Sequence, residues 1–135
     1  MRTFDALRYA ALAFAVGLAA HGVDHAIRGF DVVSSEVAVA GNIQVVAAMI
    51  TVALVFIGHR LAPIAAVLIG AGSALGFTAA HLLPTWSAFS DSFVTPAPGA
   101  GVTAYSWLTA LLEIGTALAF AVAGARQVRT ATAAV

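Results

Sequence analysis

Four apolar stretches, each about as long as a helix that crosses a bilayer, constrain the fold of this chain more than any other feature. The first is unbroken from Tyr9 to Ala20 and extends to Ile27. A helix crosses the hydrocarbon core with about 20 residues, because each residue adds about 1.5 Å along the axis. The sequence therefore predicts an all-α protein, an integral membrane four-helix bundle.

The composition supports a membrane location, because lipid must cover most of the apolar surface. Of the 135 residues, 61% are hydrophobic and 9% are charged, whereas about a quarter of the residues of soluble domains are charged. The net charge is zero and there is no basic run, so we expect no nucleic acid partner. The absence of cysteine excludes a disulfide framework and thiolate metal ligands.

Glycine and proline mark the ends of the predicted helices. Gly29 follows the first stretch, residues 58–63 form a tight turn, and Pro84 ends the third stretch. We expect the tail from Arg126 to fray. The predicted helices form a single domain over 1–135 and cover approximately 6–28, 37–57, 62–83 and 102–124.

The arginines predict the orientation of the bundle, because positive charge concentrates in cytoplasmic segments. Only Arg28 would lie on the outer side. The arginines expected on the inner side are Arg2, Arg8, Arg60, Arg126 and Arg129. We therefore predict an up-down, N-in and C-in topology with both termini cytoplasmic. All basic residues are arginine, and Ala, Val and Gly dominate, which is typical of a GC-rich bacterial genome, so we expect the plasma (inner) membrane of a bacterium.

Four ionisable residues lie on one stripe at the end of the first predicted helix. Their spacing of three or four residues places them on one face within two turns. Such groups are costly in a membrane and need partners. The later helices offer polar residues on stripes of small and hydroxyl side chains, which mark helix–helix interfaces. We predict that one pocket near the outer membrane face is lined by His21, Asp24, His25, Arg28, Gln44, His81 and Glu113.

A divalent metal ion is the first cofactor that these residues suggest. His21 and His25 have the spacing at which two imidazoles on one helix bind one ion. His81 would supply a third nitrogen, and Glu113 would be a fourth ligand or a base. Asp24 would orient an imidazole or neutralise the guanidinium on its own stripe. The alternative is that these residues only hydrogen-bond each other near water.

A b-type haem is a second, less favoured cofactor. Four-helix bundles hold cofactors between facing helices. The iron would be held between His21 or His25 and His81, with Arg28 at a propionate. Against haem, there is one candidate site near the outer face and no second histidine pair across the membrane.

The loop over 85–101 contains one further acid. Asp91 would either fold over the pocket as part of a lid or cap a short interfacial helix, and the second role is the commoner one for such a residue. The phosphate-binding and serine-nucleophile motifs of enzymes are missing.

The leading functional prediction is a small membrane protein with an extracytoplasmic-facing polar pocket that binds an ion, a metal or a small ligand, alone or as an accessory subunit. Two alternatives stay open. One is a membrane redox protein or enzyme that uses the same residues around a haem or metal, and the other is a purely structural subunit of a membrane complex. Beside the bilayer, the expected partners are a second copy or a larger membrane complex. A groove of Gly72, Gly76 and Ala80 would serve contacts within or between chains.

Overall fold

All regular secondary structure in residues 3–133 is helical. The computed structural model describes residues 3–133. Its long helices are α1 (Thr3–Arg28), α2 (Ser35–Phe56), α3 (Ala62–Phe77) and α4 (Ala104–Thr132). Residues 3–133 contain no strand, and a π-helical turn over Thr78–Leu82 continues α3. The prediction of an all-α chain with four helices long and apolar enough to cross a membrane is confirmed.

Hydroxyl side chains begin two of the helices. Ser34 precedes α2 and accepts a hydrogen bond of 3.2 Å from the backbone N–H of Val37. Thr103 precedes α4 and forms a reciprocal capping box with Ser106. Both residues satisfy N–H groups that a helix leaves unpaired at its start. Pro63 lies in the first turn of α3, where its missing N–H costs nothing.

The fourth helix is longer than the sequence predicted. The expected end at Gly124 differs from the structure, in which α4 continues to Thr132. The last two residues of the tail that was expected to fray, 134 and 135, lie outside the described residues. Gly124 serves close packing instead of ending the helix, because a Cβ there would lie 2.6 Å from the carbonyl oxygen of Pro63. After Gly124 no proline interrupts the chain, and alanine, arginine and glutamine favour a helix.

The core lies along α4, which packs against both α1 and α3, while α2 lies at the side of the bundle. Phe14 of α1 stacks on Phe120 of α4 with their ring centroids 5.4 Å apart. Gly70 lets α3 approach α4, since a Cβ there would lie 2.6 Å from the carbonyl oxygen of Ala117. Small residues at such crossings are typical of helices that pack in lipid.

Contacts between helix ends show that neighbouring helices run antiparallel. Arg8 near the start of α1 donates a hydrogen bond of 3.4 Å to the carbonyl of Phe56 at the end of α2. At the opposite end, Ser106 of α4 donates one of 2.7 Å to Asp24 of α1. The second end also holds the loop over 83–103, and we call it the loop end.

Candidate metal site

Three imidazoles meet at the loop end of the bundle. His21 and His25 belong to α1, and His81 belongs to the π turn after α3. One nitrogen from each ring can be chosen so that all three lie within 4.8 Å of one another. The ring centroid of His21 is 4.8 Å from that of His25 and 4.8 Å from that of His81. These residues form a three-histidine cluster that can bind a metal ion.

The helical repeat of α1 explains why His21 and His25 lie next to each other. His21 and His25 are four residues apart, so their side chains lie on the same face one turn apart. His21 is 3% exposed, and neither of its ring nitrogens has a hydrogen-bond partner within residues 3–133. Buried polar side chains nearly always have such a partner. His21 is therefore the member of the cluster that most needs a ligand.

The π turn brings His81 to the other two rings. Thr78–Leu82 is wound more widely than an α-helix, and Leu83 after it is extended, with φ −97° and ψ 152°. A residue before a proline avoids the helical region, so Pro84 ends the helix here. The wider turn rotates His81 relative to the α-helical repeat of α3, and such turns are frequent at functional sites. His81 is 2% exposed.

The backbone of Asp91 orients the His81 ring. Nδ1 of His81 lies 2.9 Å from the carbonyl oxygen of Asp91. A carbonyl oxygen only accepts hydrogen bonds, so Nδ1 carries the proton and donates. The other nitrogen, Nε2, then has its lone pair free for a metal ion. Histidine ligands in metal sites commonly make this kind of hydrogen bond with their second nitrogen.

The segment 91–93 is fastened to the end of the third helix. The N–H of Asp91 donates to the carbonyl of Ala80 at 3.1 Å, and the N–H of Phe93 donates to that of His81 at 2.9 Å. The hydroxyl of Ser92 donates to the carbonyl of Leu83 at 2.7 Å. The expected role of Asp91 as a cap of a short interfacial helix is wrong, because residues 83–103 contain no helix. The alternative, a segment folded over the site, describes the structure.

Arg28 joins the end of α1 to this segment. Its two terminal nitrogens donate to both carboxylate oxygens of Asp91, at 2.8 and 2.7 Å. Its Nε donates to the carbonyl of Ala100 at 2.8 Å. Asp24, one turn earlier, lies 3.5 Å from the same guanidinium, and both side chains of that pair are 1% exposed. Asp24 thus neutralises Arg28, one of the two roles that the spacing predicted.

Aromatic rings enclose the cluster. Phe77 meets His21 edge to face with centroids 5.2 Å apart. Phe93 lies over His81 with centroids 4.6 Å apart, and the guanidinium carbon of Arg28 is 5.1 Å from the centre of the Phe93 ring. Trp107 of α4 packs against Phe93 at 5.7 Å. These apolar walls lower the local dielectric constant, which strengthens interactions of the charged groups between them.

Glu113 lies deeper in the bundle than the three-histidine cluster. It is 0% exposed, and neither carboxylate oxygen has a hydrogen-bond partner in the described part of the chain. Its backbone is opposite Gly17, where a Cβ would lie 3.1 Å from Cα of Glu113. Gly17 is one turn of α1 before His21, which is about 6 Å along the axis. Glu113 is not among the residues whose ligand atoms lie within 4.8 Å of one another.

Gln44 pairs with another helix at a different depth. Its amide nitrogen donates to the hydroxyl of Ser73 at 2.8 Å, which ties α2 to α3. Ser73 lies eight residues before His81, about 12 Å along a helix axis. Of the residues predicted for the pocket, the structure brings together those of the α1 stripe and His81, and places Gln44 and Glu113 farther into the bundle.

The cluster is somewhat wider than an occupied transition-metal site. In a tetrahedral zinc site with Zn–N of about 2.0–2.1 Å, two ligand nitrogens lie about 3.4 Å apart. The three nitrogens of the cluster are at most 4.8 Å apart, so they would have to approach one another by about 1.4 Å to reach zinc geometry.

No protein family, curated protein or solved structure matches the chain. Its function is therefore inferred from the chemistry of the site.

Proposed function

We propose that this chain is a small integral membrane protein that binds a divalent transition-metal ion through His21, His25 and His81. One observation supports this most: three imidazole nitrogens from two different helices lie within 4.8 Å of one another. The pair on α1 follows from local spacing alone, but the third histidine meets it only because the bundle folds as it does. Three protein ligands leave a fourth position for water or a small ligand.

The ligand type selects the class of metal. Imidazole nitrogens suit zinc, copper, nickel and iron, whereas calcium and magnesium prefer oxygen ligands. The chain has no cysteine, so no thiolate competes with the imidazoles for the metal ion. Near the histidines, Asp24 and Asp91 both lie against Arg28, which leaves a formal charge of about −1 beside the cluster and favours a cation.

The membrane location rests on the outer surface of the bundle. Each helix exposes large apolar side chains, and more than half of each of Val16, Ile50, Leu68 and Leu108 is accessible. Patches of this extent require lipid or a partner. From the distribution of the arginines we infer that both termini lie in the cytoplasm and that the cluster lies near the outer face of a bacterial inner membrane. The site would bind its ion from the extracytoplasmic side, alone or as part of an accessory subunit.

The geometry favours a single ion over haem. In a haem with two axial histidines, the porphyrin plane lies between the two imidazole rings. The centroids of His21 and His81 are only 4.8 Å apart, and those of His25 and His81 are 6.1 Å apart in a tilted arrangement. Two axial imidazoles of a haem have their ring centroids about 6 Å apart on opposite faces of the porphyrin, so His21 and His81 are too close for this arrangement. His25 and His81 have a suitable separation, but the ring of His21 lies 4.8 Å from each of them and occupies the space of the porphyrin.

A purely structural role accounts for only part of the polar stripe. Asp24, Arg28 and Asp91 form ion pairs with one another, as residues that lock helices together would, although Oδ2 of Asp24 makes no hydrogen bond within residues 3–133. His21 and Glu113 have buried polar atoms without hydrogen-bond partners in the range 3–133. A stripe selected only for packing would pair these groups too, since unpaired buried groups cost free energy. This difference favours binding.

Metal content and cobalt spectroscopy test the proposal. The protein is purified in mild detergent, stripped with a chelator, and titrated with Co²⁺, whose visible absorption reports its coordination. We expect one Co²⁺ per chain, displaced by Zn²⁺, with a spectrum typical of nitrogen ligands. His21→Ala, His25→Ala and His81→Ala should each weaken binding by at least about tenfold.

His59→Ala is the matched control, because His59 is exposed in the turn between α2 and α3, away from the loop end. It should bind Co²⁺ as the wild type does. If the wild type binds no transition metal, or if His81→Ala binds as tightly as His59→Ala, the proposed function is wrong.

A further inference from the structure

We infer that Arg28 and Asp91 are positioning residues of the metal site. Their ion pair holds the Asp91 carbonyl against Nδ1 of His81 and so directs Nε2 of His81 toward the ion. The inference rests on the proposed function for its consequence in metal binding. Its structural part, the control of the His81 ring by the neighbouring ion pair of Arg28 and Asp91, stands independently.

Asp91 contacts the site through its backbone carbonyl and through its carboxylate, and Oδ2 of that carboxylate also lies 3.6 Å from Nδ1 of His81. Its backbone carbonyl accepts the hydrogen bond from Nδ1 of His81 at 2.9 Å. Its carboxylate accepts two hydrogen bonds from Arg28, at 2.8 and 2.7 Å. A substitution of the side chain therefore removes the contact with Arg28 and leaves the carbonyl in place.

Arg28 is itself fixed from two other directions. Nε donates to the carbonyl of Ala100 at 2.8 Å, and Asp24 lies 3.5 Å from the guanidinium. Asp24 in turn accepts a hydrogen bond of 2.7 Å from Ser106. Arg28 lies on α1 and is held by Asp24 of the same helix and by the loop carbonyl of Ala100, so α1 carries both the ligands His21 and His25 and the residue that fixes Asp91.

The ion pair of Arg28 and Asp91 is well suited to position the Asp91 carbonyl, because it is buried and consists of two parallel hydrogen bonds. The side chains of Arg28 and Asp91 are 1% and 5% exposed. A planar guanidinium that makes two parallel hydrogen bonds fixes both the distance and the orientation of a carboxylate, whereas an ammonium group fixes only a distance. Asp91→Asn leaves Arg28 paired with Asp24 alone, and Arg28→Lys replaces the fork by a single point charge, so in both variants the segment 91–93 loses its oriented attachment to α1.

If the ion pair of Arg28 and Asp91 only held the loop in place, it would not determine which ring nitrogen of His81 carries the proton. The tautomer of His81 depends on the carbonyl that Nδ1 meets, because the nitrogen that donates to it cannot bind a metal ion. If the segment shifts, Nε2 competes for the proton and the ligand nitrogen is lost from part of the population. The His81 tautomer is therefore a direct readout of the positioning role.

The first test needs no metal. Nitrogen-15 spectra of the histidine side chains are recorded for the metal-free protein in detergent at mildly alkaline pH, where imidazole is neutral. We expect the wild type to show His81 as a single tautomer with the proton on Nδ1. In Asp91→Asn and Arg28→Lys we expect both tautomers. Asp31→Asn is the matched control, because Asp31 is an exposed acid just beyond α1, and it should leave His81 unchanged.

The second test measures Co²⁺ affinity in the same variants. Loss of a residue that orients a metal ligand typically weakens binding by about 10–100-fold. We expect a loss of that size in Asp91→Asn and in Arg28→Lys, and none in Asp31→Asn. Circular dichroism checks that each variant keeps the helix content of the wild type.

The outcomes separate this inference from the proposed function. It is overturned if Asp91→Asn keeps the single Nδ1–H tautomer. It is equally overturned if a metal-binding wild type is matched in affinity by Asp91→Asn. If no variant and no wild type binds Co²⁺ but the tautomer responds as expected, the proposed function fails and the control of His81 by Arg28 and Asp91 stands.

Discussion

The hydroxyl of Ser106 donates a hydrogen bond of 2.7 Å to Oδ1 of Asp24 and thereby ties the start of α4 to the end of α1. Ser106 is 0% exposed and Asp24 is 1% exposed, so water does not compete for this bond. Ser106 also accepts a hydrogen bond of 3.1 Å from the N–H of Thr103. One small side chain thus begins a helix and satisfies one carboxylate oxygen of a buried acid next to Arg28.

Substitution of this residue should destabilise the bundle. In Ser106→Ala, Asp24 loses a charge-assisted hydrogen bond and the start of α4 loses part of its capping box. We expect the free energy of unfolding to fall by about 1–3 kcal/mol. Unfolding of the protein by denaturing detergent, followed by circular dichroism, measures the change. Ser35→Ala is the control, since Ser35 is exposed and its hydroxyl contacts only Glu36; equal stability of the two variants would contradict the role given to Ser106.

Close packing of α3 on α4 gives a second prediction. A Cβ at Gly70 would lie 2.6 Å from the carbonyl oxygen of Ala117 and 2.8 Å from the backbone nitrogen of Ala121. Backbone atoms of a packed helix cannot move aside cheaply, so Gly70→Ala should push the helices apart. We expect a loss of about 1–3 kcal/mol of unfolding free energy in the same assay.

Gly72→Ala is the matched control for that prediction. A Cβ at Gly72 meets nothing within 4 Å, and alanine favours a helix over glycine by up to about 1 kcal/mol. We expect Gly72→Ala to be neutral or stabilising. If Gly70→Ala is as stable as Gly72→Ala, α3 and α4 are not packed as closely as described. In the structure, a Cβ at Gly72 or at Gly76 would meet no atom within 4 Å among the described residues, so at these two positions the groove faces open space.

Glu113 gives a third prediction, which separates a ligand from a nearby charge. Three neutral imidazoles contribute no negative charge to the binding of a divalent metal ion. If Glu113, one turn deeper in the bundle, is ionised, its carboxylate would attract that ion through a medium of low dielectric constant. We expect Glu113→Gln to weaken Co²⁺ binding by about tenfold, equivalent to about 1.4 kcal/mol, and to leave the shape of the visible spectrum unchanged.

Two results would contradict that view of Glu113. An affinity equal to that of the wild type would show that Glu113 is not coupled to the site. A loss as large as in His81→Ala, with a changed cobalt spectrum, would show that its carboxylate is a direct ligand, as the sequence pattern suggested. Glu113→Leu adds a test of stability: replacement of an unpaired buried acid by an apolar side chain should not lower the free energy of unfolding.

The helices and the α1 stripe could be predicted because they depend on local rules. Apolar length and the proline and glycine signals define the helices. Within one helix the geometry is rigid, so the spacing of His21, His25 and Arg28 determines that they share a face. Asp24 was expected to neutralise Arg28 for the same reason, and the two side chains lie 3.5 Å apart.

The rest of the site depends on contacts that spacing does not encode. Gln44 bonds Ser73, and only the relative rotation of α2 and α3 decides this. His81 reaches the cluster through a π turn, a local widening that the residue pattern did not indicate. Asp91 meets Arg28 across 63 residues of sequence, through a loop without regular structure.

The orientation in the membrane gives the last prediction. Arg8 contacts the carbonyl of Phe56, so the start of α1 and the end of α2 share one end of the bundle with Arg60, and the three-histidine cluster lies at the other end. Positive charge favours the cytoplasmic side. Fusions of alkaline phosphatase, which is active only outside the cytoplasm, should therefore be active within the 85–101 loop and inactive at the C-terminus. Green fluorescent protein fusions serve as the control, because they should fluoresce at the C-terminus and not in the loop. The opposite pattern would place the cluster on the cytoplasmic side, and the ion would then come from inside the cell.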